Sequence, residues 1–80
     1  MRATNLSSSL IARIVYDDEK RTLRVCFRHG PAYVYFDVPG DEYDALKAAR
    51  SAGRHYNSRI KGRYRCRYDP ERKRFGPRAA

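Results

Sequence analysis

The spacing of hydrophobic positions changes along this chain, and each change marks a boundary between elements. Residues 10–16 read LIARIVY, dense in β-branched and aromatic side chains, which predicts a strand. Asp17-Asp18-Glu19-Lys20 is polar and short enough to connect a hairpin. Residues 22–28 then alternate, with Leu23, Val25 and Phe27 on one face and Arg24, Cys26 and Arg28 on the other. His29-Gly30-Pro31 predicts a turn, and residues 32–38 (AYVYFDV) predict a third strand that Pro39-Gly40 ends. Strands on such short connections form an antiparallel meander.

Beyond Gly40 the period lengthens. Asp41 is the predicted N-cap of a helix over residues 42–50, whose acidic first turn suits the helix dipole. Tyr43, Leu46 and Ala49 or Arg50 supply a narrow apolar stripe. Ser51-Ala52-Gly53 closes that helix, with Gly53 in the left-handed position past its end. A second short helix or turn over residues 54–61 places Tyr56 and Ile60 on one face, and Gly62 interrupts it. Past Tyr64 the periodicity is lost, and Pro70, Gly76 and Pro77 argue against regular structure. The expected architecture is α+β. A three-stranded antiparallel β-meander is followed by one helix and a second short helix or turn, packed on one face of the sheet. The domain spans residues 6–64, and residues 65–80 form a basic, mostly flexible tail.

The order of particular residues along this pattern resembles that of a known family. Ser8-Ser9, Ile11, Ile14 and Tyr16-Asp17 come first, then Leu23, Val25, Phe27 and Gly30. Tyr33-x-Tyr35, Val38-Pro39, Tyr43, Leu46 and Ala49 follow, and Ser51-x-Gly53, Tyr56-Asn57, Ile60 and Tyr64 close the series. This is similar to the KTSC domain family, which occurs at the C-terminus of some lysyl-tRNA synthetases and as free-standing small bacterial proteins. The resemblance implies a small α+β unit with no known catalytic activity. It also carries a proposed link to RNA through the synthetase connection. Two positions depart from the family pattern: Val15 stands where a glycine is expected in the first strand, and His55 where an aromatic or charged residue is more usual.

Charge sharpens the picture. From Arg54 onward ten basic side chains face only Asp69 and Glu71, so this third of the chain carries +8 of the net +9. Tyr56, Tyr64, Tyr68 and Phe75 are interleaved with those charges, a composition that suits a polyanion. The candidate nucleic-acid contacts are Arg54, Arg59, Lys61, Arg63, Arg65 and Arg67. Guanidinium groups grip phosphate bidentately and stack on bases, so the dominance of Arg over Lys has chemical content. If extended, the stretch around Arg63, Arg65 and Arg67 would show basic side chains on one side and Tyr64, Cys66 and Tyr68 on the other. If residue 65 onward is a loose tail, truncation after Tyr64 should weaken binding more than it destabilises the fold.

Tyr33 and Tyr35 project from a common strand face, either open to stack on bases or turned toward the helix. The family's free middle position and the aromatic demand of a small core favour the structural role.

Other chemistry finds little support. A chain of 80 residues buries only about 60% of its unfolded surface, which leaves little room for an elaborate active site. Cys26, His29, His55 and Cys66 do not follow zinc-ligand spacing, and two cysteines are few for a disulfide scaffold. His29 and His55 lack a carboxylate that would clearly orient either as a catalytic acid or base. No enzyme activity, cofactor or metal is therefore expected. The apolar runs are far shorter than the ~20 residues of a membrane span, and the N-terminus lacks a signal-like apolar core. A cytoplasmic, non-membrane protein is expected. The first reading is a small non-enzymatic binding module, monomeric or weakly dimeric, with RNA favoured over DNA. The alternative is a protein-interaction or homodimerising module that uses an open sheet edge, with the basic tail only solubilising it.

Overall fold

The structure, a computed structural model, describes residues 1–69. Over these residues the chain forms a five-stranded antiparallel meander in sequential order: β1 (Arg2–Asn5), β2 (Ile11–Asp17), β3 (Thr22–Phe27), β4 (Ala32–Tyr35) and β5 (Cys66–Asp69). Between β4 and β5 lie α1 (Gly40–Ala48), α2 (Ala52–His55) and a π-helical turn (Tyr56–Ile60). The α+β class and the central meander agree with the sequence pattern; the strand number does not. Two edge strands lie outside the expected domain limits of residues 6–64. The sequence RATN of β1 has no apolar alternation and does not advertise a strand, whereas β5 carries the alternation of Arg67 with Cys66 and Tyr68 noted above for an extended stretch. Expectations for residues 70–80 lie outside the described residues.

Register explains why the core forms where it does. One cross-strand row reads Thr4, Ile14, Val25, Tyr33 and Tyr68, and the next reads Arg2, Tyr16, Leu23, Tyr35 and Cys66. Both rows face the helices. Ile14, Leu23, Val25, Tyr16 and Tyr35 from this face pack with Tyr43, Leu46, Tyr56 and Ile60 in one cluster. Tyr16 and Tyr43 stack at a centroid distance of 5.7 Å, and the Tyr16 hydroxyl donates to the buried Val38 carbonyl at 2.6 Å. The Arg2 guanidinium lies over both rings and pairs with Asp18 at 2.9 Å. That contact holds the short first strand against α1. The ladder irregularity falls between Ile11 and Arg13, while Val15 pairs regularly with Ala3 and Arg24.

The opposite face presents the row Ala3, Val15, Arg24, Val34 and Arg67, beside Asn5, Arg13, Cys26, Ala32 and Asp69. Arg24 reaches Asp69 at 2.9 Å, linking β3 to β5 across β4, where Ala32 is small enough to let the pair pass above it. Cys26 and Cys66 thus project from opposite faces of the sheet, which keeps the two free thiols apart.

The helices differ from the sequence pattern in their ends. Pro39, not Asp41, is the N-cap of α1, and Asp41 sits with Glu42 in the first turn. That position leaves the acidic residues favourable to the helix dipole without a side-chain cap. The helix ends at Ala48, and Ser51 opens α2 by accepting a hydrogen bond from the Arg54 amide at 3.3 Å. Gly53 is therefore inside a helix and does not close one. A Cβ there would lie 3.4 Å from Leu10 Cδ2, so its lack of a side chain serves close packing. The positive φ falls instead at Gly62, at 79°, just past the π-helical turn. The Lys61 amide donates to the Tyr56 carbonyl at 2.9 Å, closing the five-residue step that defines that turn.

Candidate nucleic-acid interface

Residues 52–63 carry four of the six candidate cations on one continuous segment. Arg54 belongs to α2, Arg59 to the π-helical turn, and Lys61 and Arg63 to the turn that follows. All four are exposed, and none has an ion pair within 4 Å among the described residues. The segment is anchored from below by Tyr56 and Ile60, as the four-residue spacing predicted, both of which are buried in the core.

Glu42 supplies the second anchor. Its Oε2 lies 3.0 Å from His55 Nε2, and its Oε1 accepts a hydrogen bond from the Tyr64 hydroxyl at 3.2 Å. One carboxylate on α1 thereby ties down α2 and the turn after it. The contacts span 13 and 22 residues of sequence, so no local pattern could have revealed them. The carboxylate that the sequence left unassigned to His55 is thus present, and the ring acts as a strut between helices. His29 lies elsewhere, on the β3–β4 turn.

Arg65 and Arg67 are separated from the other four. The alternation of β5 sends Arg67 to the sheet face away from the helices, beside Val34. The Arg65 guanidinium stands over the Phe36 ring at 5.2 Å and lies 3.9 Å from Asp37. Arg67 lines a groove of about 250 Å³ together with Val15, Arg24, Val34 and Phe36; Lys20 and Asp17 also line it, and Arg24 is already paired with Asp69.

Tyr33 and Tyr35 face the helices. Tyr35 is buried, with its hydroxyl hydrogen-bonded to that of Tyr56, and Tyr33 is half-buried. Beside them a cleft of about 650 Å³ opens between the π-helical turn and the β3–β4 turn. Tyr33 contacts Phe27 edge-on at 6.2 Å, and Phe27 contacts Tyr56 edge-on at 5.3 Å. The sequence pattern placed Phe27 in the core face but gave no sign of this cleft, which needs three elements to form.

Burial raises the Tyr35 hydroxyl far above the ordinary tyrosine range, reinforced by its bond to Tyr56 and by Cys66 nearby. Burial also raises Tyr56, with the Tyr35 bond acting the other way. Tyr64 is raised by burial and then by the Glu42 charge, with Arg63 and Arg59 offsetting part of the effect. In the unfolded chain these phenols lose protons near pH ~10, while the folded chain retains them. The folded state then binds more protons, so stability is level below about pH 9 and falls as pH rises beyond about 10. Urea unfolding between about pH 8 and 11 should show that decline, and Tyr35→Phe should blunt it. A midpoint that stays constant to the alkaline end of the series would contradict this account.

Among the described residues no cluster of three or more His, Cys, Asp or Glu side chains is arranged to hold a metal ion. No described helix is long and apolar enough to cross a membrane.

A small antiparallel sheet that includes a Tyr-x-Tyr strand, with α1 and then a basic helical segment inserted between its last two strands, defines a compact domain class. The chain belongs to the KTSC domain family, whose profile matches residues 7–64. It is 35% identical to the KTSC domain protein of Yersinia pestis, whose crystal structure superposes with a TM-score of 0.81 over 85% of this chain and 96% of that one. A protein of Tsukamurella paurometabola is 38% identical over 61 residues, covering 76% of this chain and 91% of the relative. A lysine–tRNA ligase of Nostoc punctiforme is 37% identical over 57 residues, covering 71% of this chain but only 10% of the ligase. Both settings expected for the family, free-standing and attached to a synthetase, are represented.

Proposed function

We propose that this KTSC domain is a non-enzymatic RNA-binding module whose contact surface is the helical segment of residues 52–63. The observation that carries this reading is the set Arg54, Arg59, Lys61 and Arg63, exposed, without ion pairs among the described residues, and held on a segment anchored by Glu42. An ordinary solvated surface mixes its signs, whereas a run of unpaired cations on a rigid support suits a phosphate backbone. The related segment of a lysine–tRNA ligase is consistent with an RNA partner, because that enzyme acts on a tRNA. Shape or single strands would be recognised in preference to base sequence, since the segment does not offer a long helix to read a groove.

If four phosphates are neutralised, log K should fall with log salt at a slope of about −2.8 to −3.6. Filter binding of a short RNA across a salt series measures this. A flat series would remove the electrostatic basis of the proposal. Pull-down before and after nuclease treatment separates it from the alternative protein-interaction role, in which partners would persist without nucleic acid.

A further inference from the structure

The aromatic cleft beside the basic segment has the composition of a ligand site. We infer that it receives one unstacked nucleotide of the bound strand, with the base against the aromatic walls and the phosphate on Lys61. This inference deepens the RNA-binding reading and rests on it for the identity of the ligand.

The cleft of about 650 Å³ falls within the ~300–1,000 Å³ typical of small-molecule pockets. Its apolar lining includes Phe27, Tyr33, Tyr35 and Tyr56. These rings meet one another edge-on, at 73° to 75° between planes, so they do not cover each other's faces by stacking. Tyr35 and Tyr56 are buried, so an aromatic base inserted here would meet chiefly Phe27 and Tyr33, which are only half-buried and which the protein's own rings leave unstacked. The polar side chains in its described lining are Ser9, His29, Asn57, Lys61 and Cys66; of these the Asn57 amide can pair with a base edge, and the Lys61 ammonium can hold a phosphate. Among the described residues no acidic side chain lines the cleft, so the electrostatics of its described lining favour an anion.

The backbone provides a second, independent observation. Tyr56, Asn57 and Lys61 all border the cleft, and all belong to the π-helical turn or its C-cap. The turn closes with the Lys61 amide on the Tyr56 carbonyl, five residues back. In an α-helix, residues five apart point well away from each other; the wider turn brings Lys61 toward the side occupied by Tyr56. Such turns recur at functional sites because they reposition side chains at some cost in regularity. Here the widening assembles the cationic margin of an aromatic cleft.

The test is a titration of the isotopically labelled full chain with adenosine 5′-monophosphate, adenosine and inorganic phosphate, followed by chemical shifts. The monophosphate should perturb Phe27, Tyr33, Asn57 and Lys61 together. Adenosine should perturb the aromatic residues alone and bind more weakly. Lys61→Gln, at an exposed position, should weaken the monophosphate roughly fivefold, the size of one solvent-exposed charge contact, and leave adenosine unchanged. Lys61→Arg should restore most of that loss. If inorganic phosphate reproduces the whole pattern, or the monophosphate leaves the cleft untouched, the inference is overturned. A parallel titration with an RNA oligonucleotide keeps the two readings apart. Perturbation of Arg54, Arg59 and Arg63 by the oligonucleotide, with a silent cleft, removes the nucleotide site and preserves RNA binding. Oligonucleotide silence at all of these residues removes RNA binding, while the monophosphate titration still decides the cleft.

Discussion

Truncation after Tyr64 is expected to lower the stability of the domain by about 3–5 kcal/mol relative to truncation after Asp69. The difference between these two variants isolates β5. That strand pairs Ala32, Tyr33, Val34 and Tyr35 with Asp69, Tyr68, Arg67 and Cys66. Its loss removes the ladder bonds along β4, the ring contact of Tyr68 with Tyr33 at 5.8 Å, and the Arg24–Asp69 pair. Ladder bonds contribute about 0.5–1.5 kcal/mol each, and a domain of this size has only about 4–12 kcal/mol in total. A fall in Tm of about 15 °C or more should follow, together with self-association through the newly exposed β4 edge. Thermal melts that agree within a few degrees would show that β5 contributes little. The result matters for function too. A binding defect in the shorter variant would report unfolding as well as lost contacts, the reverse of what a loose tail beginning at residue 65 would give.

Charge reversal offers a cleaner probe of binding. The double substitution Arg59→Glu and Arg63→Glu should weaken RNA binding by roughly 100-fold at low salt, or about 3 kcal/mol for two charge-assisted contacts. Both side chains are exposed and outside every ion pair among the described residues, so Tm should change little. The matched pair Arg65→Glu and Arg67→Glu lies toward the opposite side of the sheet and should cost only a few-fold through long-range field. Fluorescence anisotropy with a labelled RNA ranks the two variants directly. An equal loss in both would show that binding draws on both faces and not on the helical segment alone, and a loss confined to the second would move the interface to the sheet face away from the helices and overturn the helical assignment.

The contrast between those two pairs also shows what local pattern conveys. All six candidate cations occur within residues 54–67, and sequence distance makes them look like one surface. The alternation along β5 and the turn at Gly62 divide them between two faces, because a strand reverses direction every residue while a helix does not. The faces of Tyr33 and Tyr35 were ambiguous from local alternation, since Ala32, Val34 and Phe36 are equally apolar. The register of Tyr33 with Val25 and Tyr35 with Leu23 resolves it, because Val25 and Leu23 already face the helices.

The amino-acid sequence by itself determined the α+β class, the three central strands, the burial of Tyr43, Leu46, Tyr56 and Ile60, and the family. Those features follow from apolar periodicity and residue order, which act over a few neighbouring positions. Tertiary structure alone decided the first edge strand, the pairing of the last one with β4, the Glu42 strut, the separation of the six cations and the aromatic cleft. Edge strands are specified by pairing with a partner already in place, and their own residues need no apolar face of their own. The strut and the cleft depend on side chains far apart in sequence. Their positions are set only when the helices close over one face of the sheet.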